Sequence, residues 1–383
     1  MTDGMSIQNH RHIVFCVEHY NPLGLVRSLG ENGISPDIIV IKSSRKLTSA
    51  SKYVSTCHYV DSIKSGYSLL LDLYGHEKYK PFVYTADDQI TNYLDSKYDE
   101  IKDKFYFYNA GQAGHIAEFQ NKDNILKLAG KHGLQYLKTY VVDVGEIPEE
   151  IEYPVITKAI ISTLDNWKGD MHICRNEEEL RAAYKTIRSP RVLLQKYIEK
   201  KNELCLEGLS VNQGNNVLIS IASQYNYLLE DSYSPYMTVR NLHNNEIEQI
   251  LKAMIKDIGF EGIFEIEFLV DQDDQLYFLE INFRNSTWSY ASTVAGMPLP
   301  IIWSRGMLNP LVVEAAYREI KEPFTAMVEF DDYIKRVKRH KVSRMVWIAD
   351  LKKSKCKYYY GRRDSKPFFM MLYSIIVAKF KKH

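Results

Sequence analysis

His12 to Val17 (HIVFCV) is a short apolar run that stops at His19-Tyr20-Asn21-Pro22. Gly24 to Leu29 (GLVRSL) then takes helical spacing. Gly33 and Pro36 punctuate, and Asp37 to Ile41 (DIIVI) is apolar again. Short continuous apolar runs separated by a helical segment predict a β-loop-α-β unit, the start of a parallel sheet. Pro81 to Thr85 (PFVYT) predicts a third buried strand, and residues 89–103 predict a helix with Ile90, Tyr93 and Leu94 on one face. Residues 1–115 therefore read as an open α/β domain. Its first loop lacks GxGxxG, so a dinucleotide site of that kind is not supported.

The pattern then changes. Asn121 to Gly133 predicts a helix closed by glycine, Val155 to Ala159 (VITKA) a strand, and Glu177 to Ile187 a helix. That last helix carries Asn176 as N-cap, with Glu179 placed to complete a capping box. Val192 to Ile198 predicts a strand. Glu203 to Val211 and Val217 to Ser223 predict strands joined by the turn Asn212-Gln213-Gly214-Asn215. Glu246 to Ile258 predicts a helix ending at Gly259. Gly262 to Val270 and Gln275 to Ile281 predict a hairpin around Asp271-Gln272-Asp273-Asp274. This middle part reads as α+β with antiparallel sheets.

The 383 residues are 45% hydrophobic and 25% charged, an ordinary globular composition that excludes overall disorder. No apolar run reaches the roughly 18 residues of a membrane span. The five cysteines are scattered without CxxC, which predicts reduced thiols in a cytoplasmic protein rather than a zinc site. The formal net charge of +1 conceals a segregation. Residues 331–383 hold 16 Lys/Arg against 4 Asp/Glu, and the remaining 330 hold 33 against 44. An acidic body suits a soluble enzyme, and the basic end calls for a partner of its own.

The hairpin is where chemistry is most legible. Glu265 and Glu267 are two apart on its first strand, hence on one face. Glu280 and Asn282 are two apart on its second, and Arg284 continues that face. Glu267, Glu280 and Asn282 are hard oxygen donors of the kind that suit Mg²⁺ bound together with nucleotide phosphates. Arg284 would lie where a transferring phosphoryl group needs its charge offset. Spacing alone leaves a solvated acidic face equally open. Against it, the polar positions of Phe278-Leu279-Glu280-Ile281-Asn282 are embedded between apolar ones, where unpaired carboxylates are costly.

With those residues in view, the sequence resembles the ATP-grasp superfamily, and within it the carboxylate–amine ligase branch that includes D-aspartate ligase and D-alanine–D-alanine ligase. The family's metal motif, an acid followed about a dozen residues later by E-x-N and often x-R, matches Glu267, Glu280, Asn282 and Arg284. Thr85-Ala86-Asp87-Asp88 is similar to a turn of the family's first domain. Asn121-Lys122-Asp123 resembles the opening of its central domain, which implies that Lys122 contacts phosphate. Val155-Ile156-Thr157-Lys158 resembles the strand whose lysine binds ATP phosphates. Leu194-Gln195-Lys196-Tyr197-Ile198 resembles the hinge that holds adenine, with backbone contacts at Lys196 and Ile198. Glu203 resembles the acid that binds the ribose. The glycine-rich phosphate loop of the family is replaced by AIISTLDNWKGDM (159–171), where Ser162, Thr163 and Lys168 offer hydroxyls and a charge instead.

The resemblance implies three parts: an N-terminal α/β domain (1–115), a two-lobed ATP-grasp domain (116–325, lobes 116–188 and 189–325) and a basic extension (326–383). It implies ATP and Mg²⁺ as cofactors, with Mn²⁺ as the alternative ion. The implied reaction joins a carboxylate to an amine through an acylphosphate, with Arg284 and Lys168 at the reacting groups. Another ATP-grasp reaction (a carboxylase or thiol ligase) and a nucleotide-binding protein without turnover are the alternatives. The substrates would be small molecules, such as an amino acid and a cell-envelope glycan or peptide precursor, and a homodimer stays open. Glu18 to Leu23, Asn226 to Arg240 and residues after Asn285 are the expected pocket segments. The stretch Phe368 to Ala378 (FFMMLYSIIVA) is almost wholly apolar and ends in Lys379-Phe380-Lys381-Lys382. Residues 352–383 therefore pose a choice between docking on the acidic body and a peripheral contact with an anionic membrane. Nucleic acid is disfavoured, because the clusters carry no recognisable motif.

Overall fold

The computed structural model describes residues 6–43, 46–158, 170–229, 233–339 and 341–380. The chain forms two compact units. One comprises residues up to Ile116 together with Leu204–Ile266 and Asn282 onward. The other comprises Ala117–Glu203 and Glu267–Ile281.

The first unit begins with four parallel strands, β1 (His12–Cys16), β2 (Asp37–Ile41), β3 (Cys57–Val60) and β4 (Phe82–Thr85), in the order β3-β2-β1-β4. The apolar runs are strands because both of their faces are covered. Ile13, Phe15, Ile39 and Val83 pack with Leu70 and Tyr67 of helix Ile63–Tyr74, and with Ile90 and Leu94 of helix Asp88–Ser96. Gly66 permits the first of those helices to approach, since a Cβ there would meet Phe15 Cζ at 2.4 Å. The helix expected over 89–103 is interrupted: it stops at Ser96 and a single turn resumes at Tyr98–Ile101. The buried carboxylate of Asp95 beside this break accepts the N–H of Ile116 (3.0 Å).

The second unit holds four antiparallel strands, β5 (Thr139–Asp143), β6 (Val155–Lys158), β7 (Ile173–Cys174) and β8 (Arg191–Lys196), in the order β5-β8-β6-β7. Val155, Val192 and Leu194 form its core with Leu180 and Tyr184 of helix Glu177–Tyr184. Asn176 caps that helix through the N–H of Glu179 (2.9 Å). The Glu179 carboxylate reaches the N–H of Arg175 (2.8 Å).

A seven-stranded sheet has the order β13-β12-β9-β10-β11-β14-β15. Its strands are β9 (Asn202–Val211), β10 (Asn216–Tyr225), β11 (Tyr236–Arg240), β12 (Gly262–Val270), β13 (Leu276–Asn282), β14 (Phe324–Met327) and β15 (Cys356–Lys357). The predicted turn between β9 and β10 has positive φ at Asn212, Gln213 and Gly214. Gly259 closes helix Asn245–Ile258 in the left-handed conformation, as its position predicts.

The basic C-terminal segment is woven into the first unit. Arg27, fully buried on helix Tyr20–Gly30, donates to the Asp364 carboxylate (2.9 Å) and to the carbonyls of Tyr358 (2.8 Å) and Tyr359 (2.9 Å). Glu329, also buried, accepts the N–H groups of Tyr358, Tyr359 and Tyr360. Among the described residues, no helix is long and apolar enough to cross a membrane.

Candidate functional site

The second unit gathers cations and carboxylates. Asn121 caps helix Lys122–Lys131 by accepting the N–H of Asp123 (3.0 Å), which places Lys122 on the first helical residue. Lys122 Nζ lies 3.5 Å from Glu280 Oε2, and both side chains are partly exposed. On the neighbouring sheet Ile156 stands opposite Gln195, so Lys158, two residues on, shares their face. Lys158 Nζ donates to Gln195 Oε1 (2.7 Å), and the Gln195 amide nitrogen donates to Thr139 Oγ1 (3.0 Å). Glu203 pairs with Lys200 at 2.5 Å. Burial pushes the Lys158 ammonium down to a pKa of about 8, and the nearby Lys122 charge pushes the same way. Glu280 and Glu203 oppose the shift. A cation held so close to a like charge marks a place where added anionic charge is favourable.

Lys196 turns its side chain onto the Tyr153 carbonyl (3.0 Å), and its own N–H is donated to the Lys138 carbonyl (2.8 Å). The N–H of Tyr197 goes to the Pro154 carbonyl (2.8 Å). Any ligand contact from Lys196 therefore falls to its carbonyl. Glu267 is half-buried on β12.

The first unit contributes a different arrangement. Asn282 donates its amide N–H to Glu265 Oε2 (3.1 Å), which turns its carbonyl oxygen away from Glu265. That oxygen receives one guanidinium N–H of Arg284 at 3.3 Å, while Arg284 Nε donates to Asp88 Oδ1 at 2.8 Å. Asp88 is held there by the turn Thr85-Ala86-Asp87-Asp88, whose Asp87 caps helix Asp88–Ser96 through the N–H groups of Gln89 and Ile90. Behind Asn282, Glu265 and Glu207 are both buried and hydrogen-bonded to each other. Glu207 accepts hydroxyl protons from Ser286 and Ser289, the latter at 2.5 Å. Burial raises both carboxyls. Glu207 is pushed up to about 7, with the two serine hydroxyls pulling it back. Glu265 is raised well above the usual range, first by burial and then by the Glu207 charge. A proton shared between them is the state that such closely placed carboxyls adopt.

Residues 119–305 match the family model described as carbamoyl-phosphate synthase L chain, ATP binding domain. That segment is similar to the ATP-binding domain of the ATP-grasp superfamily. N5-carboxyaminoimidazole ribonucleotide synthase of Staphylococcus aureus (strain COL) is 26% identical over 214 residues, covering 51% of this chain and 56% of that protein. The chain thus spans little more than half the length of the curated relatives it matches. L-amino acid ligase from Bacillus licheniformis superposes with a TM-score of 0.64 at 12% identity, covering 83% of this chain and 80% of that one. N5-carboxyaminoimidazole synthase from Aspergillus clavatus, solved with ADP and 5-aminoimidazole ribonucleotide, superposes with a TM-score of 0.63 at 17% identity, covering 84% and 82%. These superpositions show a shared fold. The family binds ATP, with Mg²⁺ typical.

Lys122, Lys158, Gln195, Glu203 and Glu280 interact in one unit, whereas Asn282 and Arg284 belong to the other. Ser162, Thr163 and Lys168 lie outside the described residues. Two expected pocket residues are engaged locally. The Glu18 carboxylate accepts the N–H of Leu47 (2.7 Å), and Arg240 donates to Gln224 Oε1 (3.1 Å). Sequence reasoning missed Glu207. Its signal is a lone acid in the otherwise apolar run Leu204-Cys205-Leu206-Glu207-Gly208-Leu209. Among the described residues no group of three or more His, Cys, Asp or Glu side chains is placed to share a metal. The donors that the metal motif offers are instead two carboxylates, Glu267 and Glu280, and one amide oxygen. Glu265 occupies the amide nitrogen of Asn282, so its oxygen is the atom that faces Arg284 and is the one donor this side chain could offer a cation.

Proposed function

We propose that the chain is an ATP-dependent ligase that joins a carboxylate to an amine and releases ADP and phosphate. The observation that carries this reading is the half-buried Lys158, whose ammonium is fixed on Gln195 Oε1 (2.7 Å) in the unit that also holds the Lys122–Glu280 pair (3.5 Å), and which burial pushes down to about 8. A triphosphate would supply the negative charge that this group lacks. The domain reading kept with it is 1–115, 116–325 and 326–383.

In this reading a substrate carboxylate oxygen attacks the γ-phosphorus and ADP leaves. The amine nitrogen then attacks the acyl carbon of the acylphosphate, and phosphate leaves as the amide forms. Lys122 and Lys158 hold the phosphates. The Lys196 carbonyl and the Ile198 backbone face the base, Gln195 fixes Lys158, and Glu203 accepts from the ribose hydroxyls. Arg284, held by Asp88, offsets charge at the transferring group. Glu267, Glu280 and Asn282 would hold Mg²⁺, which neutralises phosphate charge when bound. Ser162 and Lys168 remain proposed phosphate and reacting-group contacts. The substrate class we favour is an amino acid joined to a small peptide or glycan precursor, in keeping with the likeness to L-amino acid ligase.

A second reading, ATP-dependent carboxylation of an amine, is favoured by the name of the curated relatives. Phosphate release separates the two. Turnover with pairs drawn from amino acids, uronic acids and peptides supports ligation. Turnover only with bicarbonate and an amine supports carboxylation. Nucleotide binding without turnover in any mixture overturns both.

A further inference from the structure

Helix Lys366–Phe380 buries Pro367, half-buries Phe368, Met371 and Ile375, and exposes an apolar stripe on another side. Phe368 stacks on Phe330 with ring centroids 5.3 Å apart, and Tyr360 meets it edge-on at 5.7 Å. Phe369, Leu372, Tyr373 and Ile376 follow the i, i+3, i+4, i+7 spacing of a single helix face. They are 58%, 37%, 64% and 46% exposed. An apolar helix end normally buries such a stripe. Tyr360 also lines a cleft of about 570 Å³ whose cations are Lys355, Lys357, Arg362 and Arg363. Glu31 is the one acid lining it. It accepts from Tyr290 (2.9 Å), and partial desolvation of its carboxyl raises its pKa.

We infer that this face docks on an anionic lipid bilayer, with the stripe entering the headgroup boundary and the cleft receiving lipid phosphates. Charge complementarity selects this occupant. The last 53 residues carry 16 basic against 4 acidic side chains, so two copies meeting through this face would repel. The helix has 15 residues and belongs on the interface rather than across it. The inference stands independently of the reaction proposed above.

Co-sedimentation of the full chain with phosphatidylcholine vesicles, with and without phosphatidylglycerol, tests it. The wild type should bind only the anionic vesicles and be released by high salt. Arg362→Gln with Arg363→Gln should weaken binding about 25-fold, from about fivefold per cation. Phe369→Ser with Ile376→Ser should weaken it by roughly tenfold or more, from the apolar area withheld from the bilayer. Both variants should melt as the wild type does, because the side chains are exposed. Equal binding to neutral vesicles, or none to anionic ones, overturns the inference. So does a wild-type dimer that the serine variant dissociates, which would make a second copy the occupant. Vesicle binding abolished by millimolar inorganic phosphate yet unaffected by the serine variant would assign the cleft to free phosphate and also overturn it. A serine variant that unfolds would show the stripe to be core.

Discussion

Glu265 and Glu267 lie two residues apart on one strand, yet they fall into different compact units and different chemistries. Glu265 is sealed with Glu207 behind Asn282, where burial and a neighbouring carboxyl favour a shared proton. Glu267 is half-buried in the unit where Lys122 pairs with Glu280 and Lys200 with Glu203. The first arrangement is satisfied internally by hydroxyls and an amide. The second keeps its charges partly exposed, and Lys158 is held below its ordinary pKa. Residues two apart on a strand share a face by backbone geometry alone. What covers that face at each position decides whether a carboxylate there orients a neighbour or meets a ligand.

The largest test of that distinction is at Glu280. Glu280→Gln removes one charge with little change of volume and leaves Lys122 without its partner. Mg²⁺-dependent ATP turnover should fall ~10²-fold or more, the scale of a lost transition-state electrostatic contact. The circular dichroism melt should stay near wild type, since the pair is partly exposed and worth little to folding. Wild-type-like turnover in the purified variant would remove the hairpin from the chemistry.

Glu203 tests the nucleotide end of the same region. Glu203→Ala should weaken ATP binding by about 1–3 kcal/mol through lost charge-assisted hydrogen bonds. It should raise KM more than it lowers kcat, because the ribose is unchanged during reaction. Lys200→Met should change KM far less, since a partly exposed ion pair contributes only about 0–1 kcal/mol. Steady-state kinetics on both variants checks this. An unchanged KM with a collapsed kcat in Glu203→Ala would move that residue to the reacting groups.

How much of this was legible follows from local chemistry. β1, β2 and β4 read directly, because short apolar runs buried on both faces have little else to be. The hairpin turns read through their glycines and acids. β5 (TYVVD), with three of its five residues only half-buried, and the four-residue β14 (FTAM) carry too little pattern. Lys158, Gln195 and Glu280 were reachable because each is a polar position in a strand next to apolar ones. Glu207 was not, because its meaning depends on Ser286 and Ser289, which arrive about 80 residues later in the chain. The interruption after Ser96 lies beside another contact with a distant segment, the Ile116 N–H on the Asp95 carboxylate.

The pH dependence of ATP affinity sharpens the comparison next. Free Lys158 titrates at about 8. Bound phosphates add negative charge and raise that value again. The bound form then holds the proton to higher pH than the free form. Affinity should be flat below about pH 8 and fall by up to about tenfold per pH unit above it. Lys158→Met should lower affinity at neutral pH and abolish the slope. Nucleotide titrations between pH 7 and pH 9.5 check it. A wild-type profile as flat as that of the variant would show that Lys158 does not meet phosphate.

The smallest expected effect falls on the sealed side, and it separates orientation from charge. Glu265 accepts from the Asn282 amide and is hydrogen-bonded to Glu207. Glu265→Gln keeps an acceptor for Asn282 and offers an N–H to Glu207, so turnover should stay within about threefold of wild type, less than a single hydrogen bond is worth. Glu265→Ala removes both. Asn282 is then free to present nitrogen instead of oxygen, and kcat should fall about tenfold with KM for ATP nearly unchanged. Folding should lose about 2–3 kcal/mol in urea titration, because Glu207 is left buried without its partner. If the glutamine variant loses as much turnover as alanine, the negative charge of Glu265 matters and the shared-proton account fails. If neither variant loses turnover while alanine still destabilises, the pair serves only the packing of β9 against β12, and Asn282 is oriented by Arg284 alone.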